Sequence, residues 1–177
     1  TIGTSAAIPG VCEAGRMTAP LVPRQVLFGN PERVSPRISP DGKRLAWIAP
    51  DEGVLNVWVN QVGADLDQAE AVTDDRDRGI RSFFWAHDNR HLLYIQDVGG
   101  DEDWHLFSVD LESGETQDVT PFEGVQARVD DTDKRFPDTI LVGLNKDNPQ
   151  LHDVYRLDLK TGEIEKIVAN PGFIGFI

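Results

Sequence analysis

The feature that most restricts what this chain can fold into is that it repeats itself. Laid over one another, "RISPDGKRLAWIAPDEGVLNVWVNQVGADLDQAEAVTDD" and "FFWAHDNRHLLYIQDVGGDEDWHLFSVDLESGETQDVTPF" match Asp41 with Asp88, Leu45 with Leu92, Trp58 with Phe107, and Val72-Thr73 with Val119-Thr120. The offset is about 47 to 49 residues, a spacing that suits a repeat unit of four short strands. A looser third copy follows in "VQARVDDTDKRFPDTILVGLNKDNPQLHDVYRLDLKTGEIEKIVAN". There Ile140-Leu141-Val142 stands for the second strand, Val154-Tyr155-Arg156-Leu157 for the third and Glu165-Lys166-Ile167-Val168 for the fourth.

Within each copy the residue types prescribe strands. "RLAWIA", "HLLYIQ" and "TILVGL" are short, apolar and rich in branched or aromatic residues, whereas "NVWVNQ", "HLFSVDL" and "DVYRLDL" partly alternate apolar with polar side chains. Turn residues separate them: Pro40-Asp41-Gly42, Asp88-Asn89, Ser113-Gly114 and Thr161-Gly162. No window sustains an apolar period of 3.6 with caps, so almost no helix is expected. The chain reads as all-β: a partial β-propeller of about three four-stranded antiparallel blades, near 35–75, 80–122 and 125–170, within an incomplete propeller over 21–177. Propellers close with about 4 to 8 blades. Three copies ending at "NPGFIGFI" therefore read as the first part of a longer protein, and two uncovered blade faces invite self-association.

Composition narrows the partners. The 177 residues are 40% hydrophobic and 27% charged, an ordinary globular mixture that supports a packed core. The formal net charge of -13 repels a phosphate backbone, so neither nucleic acid nor an anionic membrane is expected as partner. Cys12 is the only cysteine, which excludes a disulfide framework or a thiolate zinc site within one chain. No apolar run approaches the ~20 residues of a membrane span, and "TIGTSAAIPGVCEAGR" lacks the basic start and apolar core of a secretory leader. The cytoplasm is the expected compartment. Residues 1–20 read as a disordered extension, since the single Met17 stands just before "TAPLVPRQVLFGNPERVSP".

With these stretches in hand, a resemblance becomes specific. The "SPDGKRLAW" turn and strand, the "VWV" strand and the terminal "VT" are similar to blades of TolB-like and WD-like propellers and of the prolyl oligopeptidase family of serine peptidases. "LLYIQDVGGDEDWHLFSVDLESGE", "LNKDNPQLHDVYRLDLKTGE" and "PRQVLFGNPERVSPRISPDGKRLAWIAP" resemble the N-terminal propeller of bacterial dipeptidyl or acylaminoacyl peptidases of that family. The resemblance implies a propeller that covers an α/β-hydrolase domain carrying a Ser, Asp, His triad. That catalytic domain is absent from this chain: no G-x-S-x-G nucleophile elbow occurs, and no catalytic residue transfers to a position here.

The side chains left for chemistry are few. "GGDEDWH" groups Asp101, Glu102 and Asp103 near His105, a candidate anchor for a substrate amine; the plain alternative is a solvated acidic loop, since the spacing fits no calcium loop. "DDRDRG" offers Arg76 and Arg78, with Arg81 just beyond, to grip a carboxylate, or forms an ordinary ion-paired connection. Asp101, Glu102 and Arg81 are the substrate-channel candidates. His87, His91, His105 and His152 lack convergent partners, so no metal or other cofactor is expected. Trp47, Trp58, Trp85, Trp104, Phe107 and Tyr155 recur at matching places and read as interblade core. The expected function is the substrate-gating propeller of a serine peptidase acting on short peptides, partnered by a C-terminal hydrolase domain; the alternative is a non-enzymatic TolB-like interaction platform.

Overall fold

The computed structural model describes residues 21–24, 27, 32–97 and 99–172. The extension expected over residues 1–20 lies outside them. Twelve strands occupy residues 34–168 and form three four-stranded antiparallel sheets in strict chain order. The first sheet holds β1 (Val34–Ile38), β2 (Arg44–Asp51), β3 (Val54–Gln61) and β4 (Glu70–Ala71). The second holds β5 (Phe83–Trp85), β6 (His91–Gln96), β7 (His105–Asp110) and β8 (Thr116–Asp118), and the third β9 (Ala127–Thr132), β10 (Thr139–Asn148), β11 (Leu151–Asp158) and β12 (Ile164–Val168). Among the described residues from 32 to 172 the one helical element is the 3-10 turn Leu66–Gln68. Among the described residues no helix is long and apolar enough to cross a membrane.

Local chemistry explains the first hairpin of each copy. In Ser39-Pro40-Asp41-Gly42 the Gly42 amide donates to Ser39 O (2.8 Å), and Asp41 Oδ1 accepts from Ser39 Oγ (2.7 Å) and the Lys43 amide (3.1 Å). The fourth position needs a left-handed backbone, taken by Gly42 (φ 75) in one copy and Asn89 (φ 61) in the next. Asp88 repeats the role of Asp41 by accepting from the amides of Arg90 and His91.

Alternation then sorts side chains into layers. Register places Ala46 opposite Val59 and Ile48 opposite Val57, so these residues share the face that meets the second sheet. There they pack on Phe83, Trp85, Leu92, Tyr94 and Val109, with Phe107 at the margin and the rings of Tyr94 and Phe107 stacked 5.1 Å apart. On its opposite face the second sheet presents Leu93, Leu106 and Val119 to Ile140, Val142, Leu144, Tyr155 and Leu157 of the third. Each buried ring or branched side chain contributes roughly 2 to 3 kcal/mol. Of the six aromatics expected between blades, Trp85, Phe107 and Tyr155 lie there. Trp47 and Trp58, paired across β2 and β3, point to the face of the first sheet turned away from the second, and Trp104 stands in a loop.

Polar bridges join neighbouring sheets. Trp85 Nε1–H donates to Arg37 O (3.2 Å), the Asp41 amide to Asn89 Oδ1 (2.8 Å), and the Ala127 amide to Trp104 O (2.6 Å). A second device recurs inside each sheet: the residue at one equivalent position of the third strand fastens the tail of the fourth. Asn56 Oδ1 accepts from Thr73 Oγ1 and the Asp75 amide (both 2.8 Å). His105 Nδ1 bonds Asp118 Oδ2 (2.6 Å), and Asp153 Oδ1 accepts from the Asn170 amide (2.8 Å).

Candidate functional site

A meander of antiparallel strands puts the β6–β7 loop and the β4–β5 connection at the same end of the sheets, and there the charged motifs of the sequence meet. The connection is held rigidly: the Ile80 amide donates to Leu55 O (2.8 Å), and Asp75 accepts from the amides of Asp77 and Gly79 through its two carboxylate oxygens. Gly79 (φ 79) passes so close to β3 that a Cβ would lie 3.1 Å from Leu55 Cβ.

The three arginines of this stretch divide their work. Arg76 pairs with Asp51 (2.9 Å), Glu52 (3.4 Å) and Asp74, which ties the connection to the β2–β3 turn; hydrogen bonding to Asp51 holds its pKa above the ordinary value. Arg78 reaches under the β6–β7 loop, where Nη2 stands 3.5 Å from Asp97 Oδ2. Gly100 (φ 87) makes room for it, since a Cβ there would fall 2.6 Å from Arg78 Nη1. Arg81 is exposed.

Arg78, Arg81, Ser82, Asp97 and Trp104 line a cleft of about 210 Å³. Asp97 is its most unusual member: the residue is 5% exposed, and Oδ2 has no hydrogen-bond partner. A buried carboxylate oxygen that is ion-paired to a guanidinium but accepts no hydrogen bond leaves the cleft able to take a donor. Asp101 and Glu102 stand exposed on the loop between the lining residues Asp97 and Trp104. That loop is anchored to the approach to β9: Gln126 Nε2 donates to Glu102 O (3.0 Å), and Glu102 itself takes a left-handed backbone (φ 64).

The structure thus brings Arg81, Asp101 and Glu102 to one end of the sheets, and Arg81 onto the cleft wall. Sequence reasoning missed Asp97 and assigned Trp104 to the interblade core, whereas it lines the cleft. The Gly99-Gly100 pair was the available signal that a side chain passes beneath this loop.

The histidines are distributed rather than convergent. His91 Nδ1 pairs with Asp88, His105 with Asp118, and His87 Nε2 lies 3.5 Å from Thr132 Oγ1. Burial lowers the pKa of His152, and the nearby Arg128 adds to the effect. Among the described residues no group of three or more His, Cys, Asp or Glu side chains is placed to hold a metal ion.

Comparison with known proteins places this arrangement. No family model matches the chain. Dipeptidyl aminopeptidase BIII of Pseudoxanthomonas mexicana is 51% identical over 158 residues, which cover 89% of this chain and 23% of that protein. This chain is a propeller segment of the prolyl oligopeptidase family. Dipeptidyl peptidase family member 6 of Caenorhabditis elegans is 29% identical over 161 residues, covering 86% of the chain and 21% of the relative. The β-propeller domain of the Trilobed protease from Pyrococcus furiosus superposes with a TM-score of 0.51 at 26% identity, over 77% of this chain and 43% of that one. The three sheets are blades of such a propeller. The chain spans less than a quarter of the length of the curated relatives it matches.

Proposed function

We propose that this chain is the gating part of a serine peptidase that acts on short peptides, and that it works against an α/β-hydrolase domain of the same polypeptide. The observation that carries the reading is the 51% identity to a dipeptidyl aminopeptidase across 89% of the chain. The site supports it. A narrow cleft with a buried, under-satisfied carboxylate, two arginines and an indole offers both charges and an apolar wall to a peptide end, and it lies beside an exposed acidic loop. In this reading Arg81 meets a peptide carbonyl or carboxylate, Asp101 and Glu102 attract its ammonium, and the blades exclude folded protein. The activated serine comes from the hydrolase domain.

The test uses the protein as its gene encodes it. Hydrolysis of dipeptidyl p-nitroanilides should be rapid and blocked by a serine-directed organophosphate, whereas casein should be cut slowly. Glu102→Gln and Arg81→Ala should raise KM with little change in kcat, as expected for lost binding rather than lost chemistry. A protein that hydrolyses no short peptide, or that degrades casein as fast as dipeptides, refutes the reading and leaves an interaction platform as the better account.

A further inference from the structure

The pseudo-symmetry of the blades allows one groove to be compared with two copies of itself. Register equates Val59, Ser108 and Arg156 on the third strands, each on the same side of its own sheet. In the first groove Val59 packs against the apolar core beside Asn60, Gln61, Gln68 and Glu70, and about 290 Å³ remains open. In the third, Arg156 fills the position; it pairs with Glu165 and shares the groove with Asp158 and Glu163. The second groove has neither filling. Ser108 leaves a cleft of about 590 Å³ between the second and third blades, at the end of the sheets opposite the candidate site.

Ser108 is 5% exposed, lines this cleft, and its Oγ has no hydrogen-bond partner. Around it the second blade carries oxygen acceptors at the positions that line the Arg156 groove in the third. Asp110 corresponds to Asp158, Glu115 to Glu163 and Gln117 to Glu165, all lining the cleft. Asp110 is engaged by Arg90. Glu115 carboxylate and Gln117 amide oxygens take no hydrogen bond or ion pair from a described residue. Asp88 is paired with His91, Asp138 with Lys160, and Glu112 with Arg90. Glu115 and Gln117 thus stand exposed and unengaged at the wall of the cleft, whereas in the third blade Glu165, the counterpart of Gln117, is engaged by Arg156.

We propose that this cleft is a second binding site, for a small ligand bearing a guanidinium group that takes the place of the Arg156 head group. Glu115 and Gln117 accept its N–H donors, Ser108 Oγ accepts one more from the cleft floor, and Leu159 and Val119 line the path of its alkyl stem. The volume suits a ligand of this size.

The experiment is calorimetric titration of the protein as its gene encodes it with agmatine, and separately with acetyl-Gly-Arg-Gly-amide, in 150 mM salt to suppress unspecific attraction to an acidic protein. One saturable site is expected. Tighter binding of agmatine identifies a free cation as the ligand, and tighter binding of the peptide identifies an arginine side chain. Ser108→Arg, which rebuilds the third blade's filling, should abolish binding. Glu115→Gln should weaken it about ten-fold or more, the loss of one charge-assisted hydrogen bond. Glu70→Gln in the first groove should leave it unchanged. Circular dichroism establishes that each variant is folded. No saturable binding of either probe, or equal binding by wild type, S108R and E115Q, overturns the proposal. Because none of these readouts involves peptide hydrolysis, failure here is distinct from failure of the peptidase reading.

Discussion

Replacing Asn56 by alanine tests whether the short edge strand of the first blade is held by its side-chain fastening or by the sheet ladder. β4 has only two residues, so the ladder fixes little of the segment that follows. Asn56, fully buried, accepts from Thr73 Oγ1 and the Asp75 amide at 2.8 Å and donates to Asp75 O at 3.0 Å. The Val57 amide in turn donates to Thr73 Oγ1 at 2.9 Å. Alanine removes three of these bonds and leaves their partners short. At about 1 kcal/mol for each bond, the local cost is roughly 3 kcal/mol, which corresponds to about a hundred-fold rise in exchange from opened states. Native-state hydrogen exchange followed by mass spectrometry should show that rise in peptides covering residues 70–80. Asn60→Ala, which removes the bonds to Asp65 O and from the Gln61 amide at the other end of β3, should leave them protected. A change below about three-fold in Asn56→Ala would show that the fourth strand is held by something other than this side chain.

Two further outcomes follow from the packing and the backbone. Burial pushes Tyr94 up to about 12, so its neutral form is favoured in the folded state; the stability linked to it is intact below the unfolded value near 10 and is lost as pH rises from there towards 12. Alkaline titration should therefore show unfolding that steepens above pH 10, and Tyr94→Phe should flatten it; an unchanged slope would exclude this tyrosine as the cause. Gly100→Ala sets a Cβ 2.6 Å from Arg78 Nη1 at a left-handed position, whereas Gly42→Ala meets nothing within 4 Å at a similar φ. Both should lose about 1 kcal/mol to backbone strain. Gly100→Ala should lose more, with a lower Tm than Gly42→Ala; equal melting would mean that Arg78 is not held beneath the loop.

What the sequence revealed is what is settled locally. The turn of Asp41 and that of Asp88 are each built from groups within a few residues, and the strands that follow announce themselves by branched and aromatic residues, so copy number, strand order and the all-β class were legible. The cleft was not legible, because Asp97 becomes a buried acid only when Arg78, from the connection before the second blade, is drawn beneath Gly100. The fates of the aromatics divide on the same ground. Phe107 and Trp58 occupy matching positions, but only Phe107 has a blade on that side among the described residues.

The two outward faces of the described blades differ in kind. The first blade turns Trp47 and Trp58 outward, beside the half-exposed Leu66, while the third presents Arg156 and Glu165 on its far side. A stack whose ends do not match has a reading direction. The blades arose as copies, yet they are no longer interchangeable parts: a third blade moved to the front would set its ion pair against Tyr94 and Phe107, and a duplicated first blade would oppose its own indoles to Ala46 and Ile48. Blade order is therefore written into the side chains as well as into the chain, and recombination between blades of this protein would be purged by misfit at the seams long before any change reached the end that carries the Asp97 cleft.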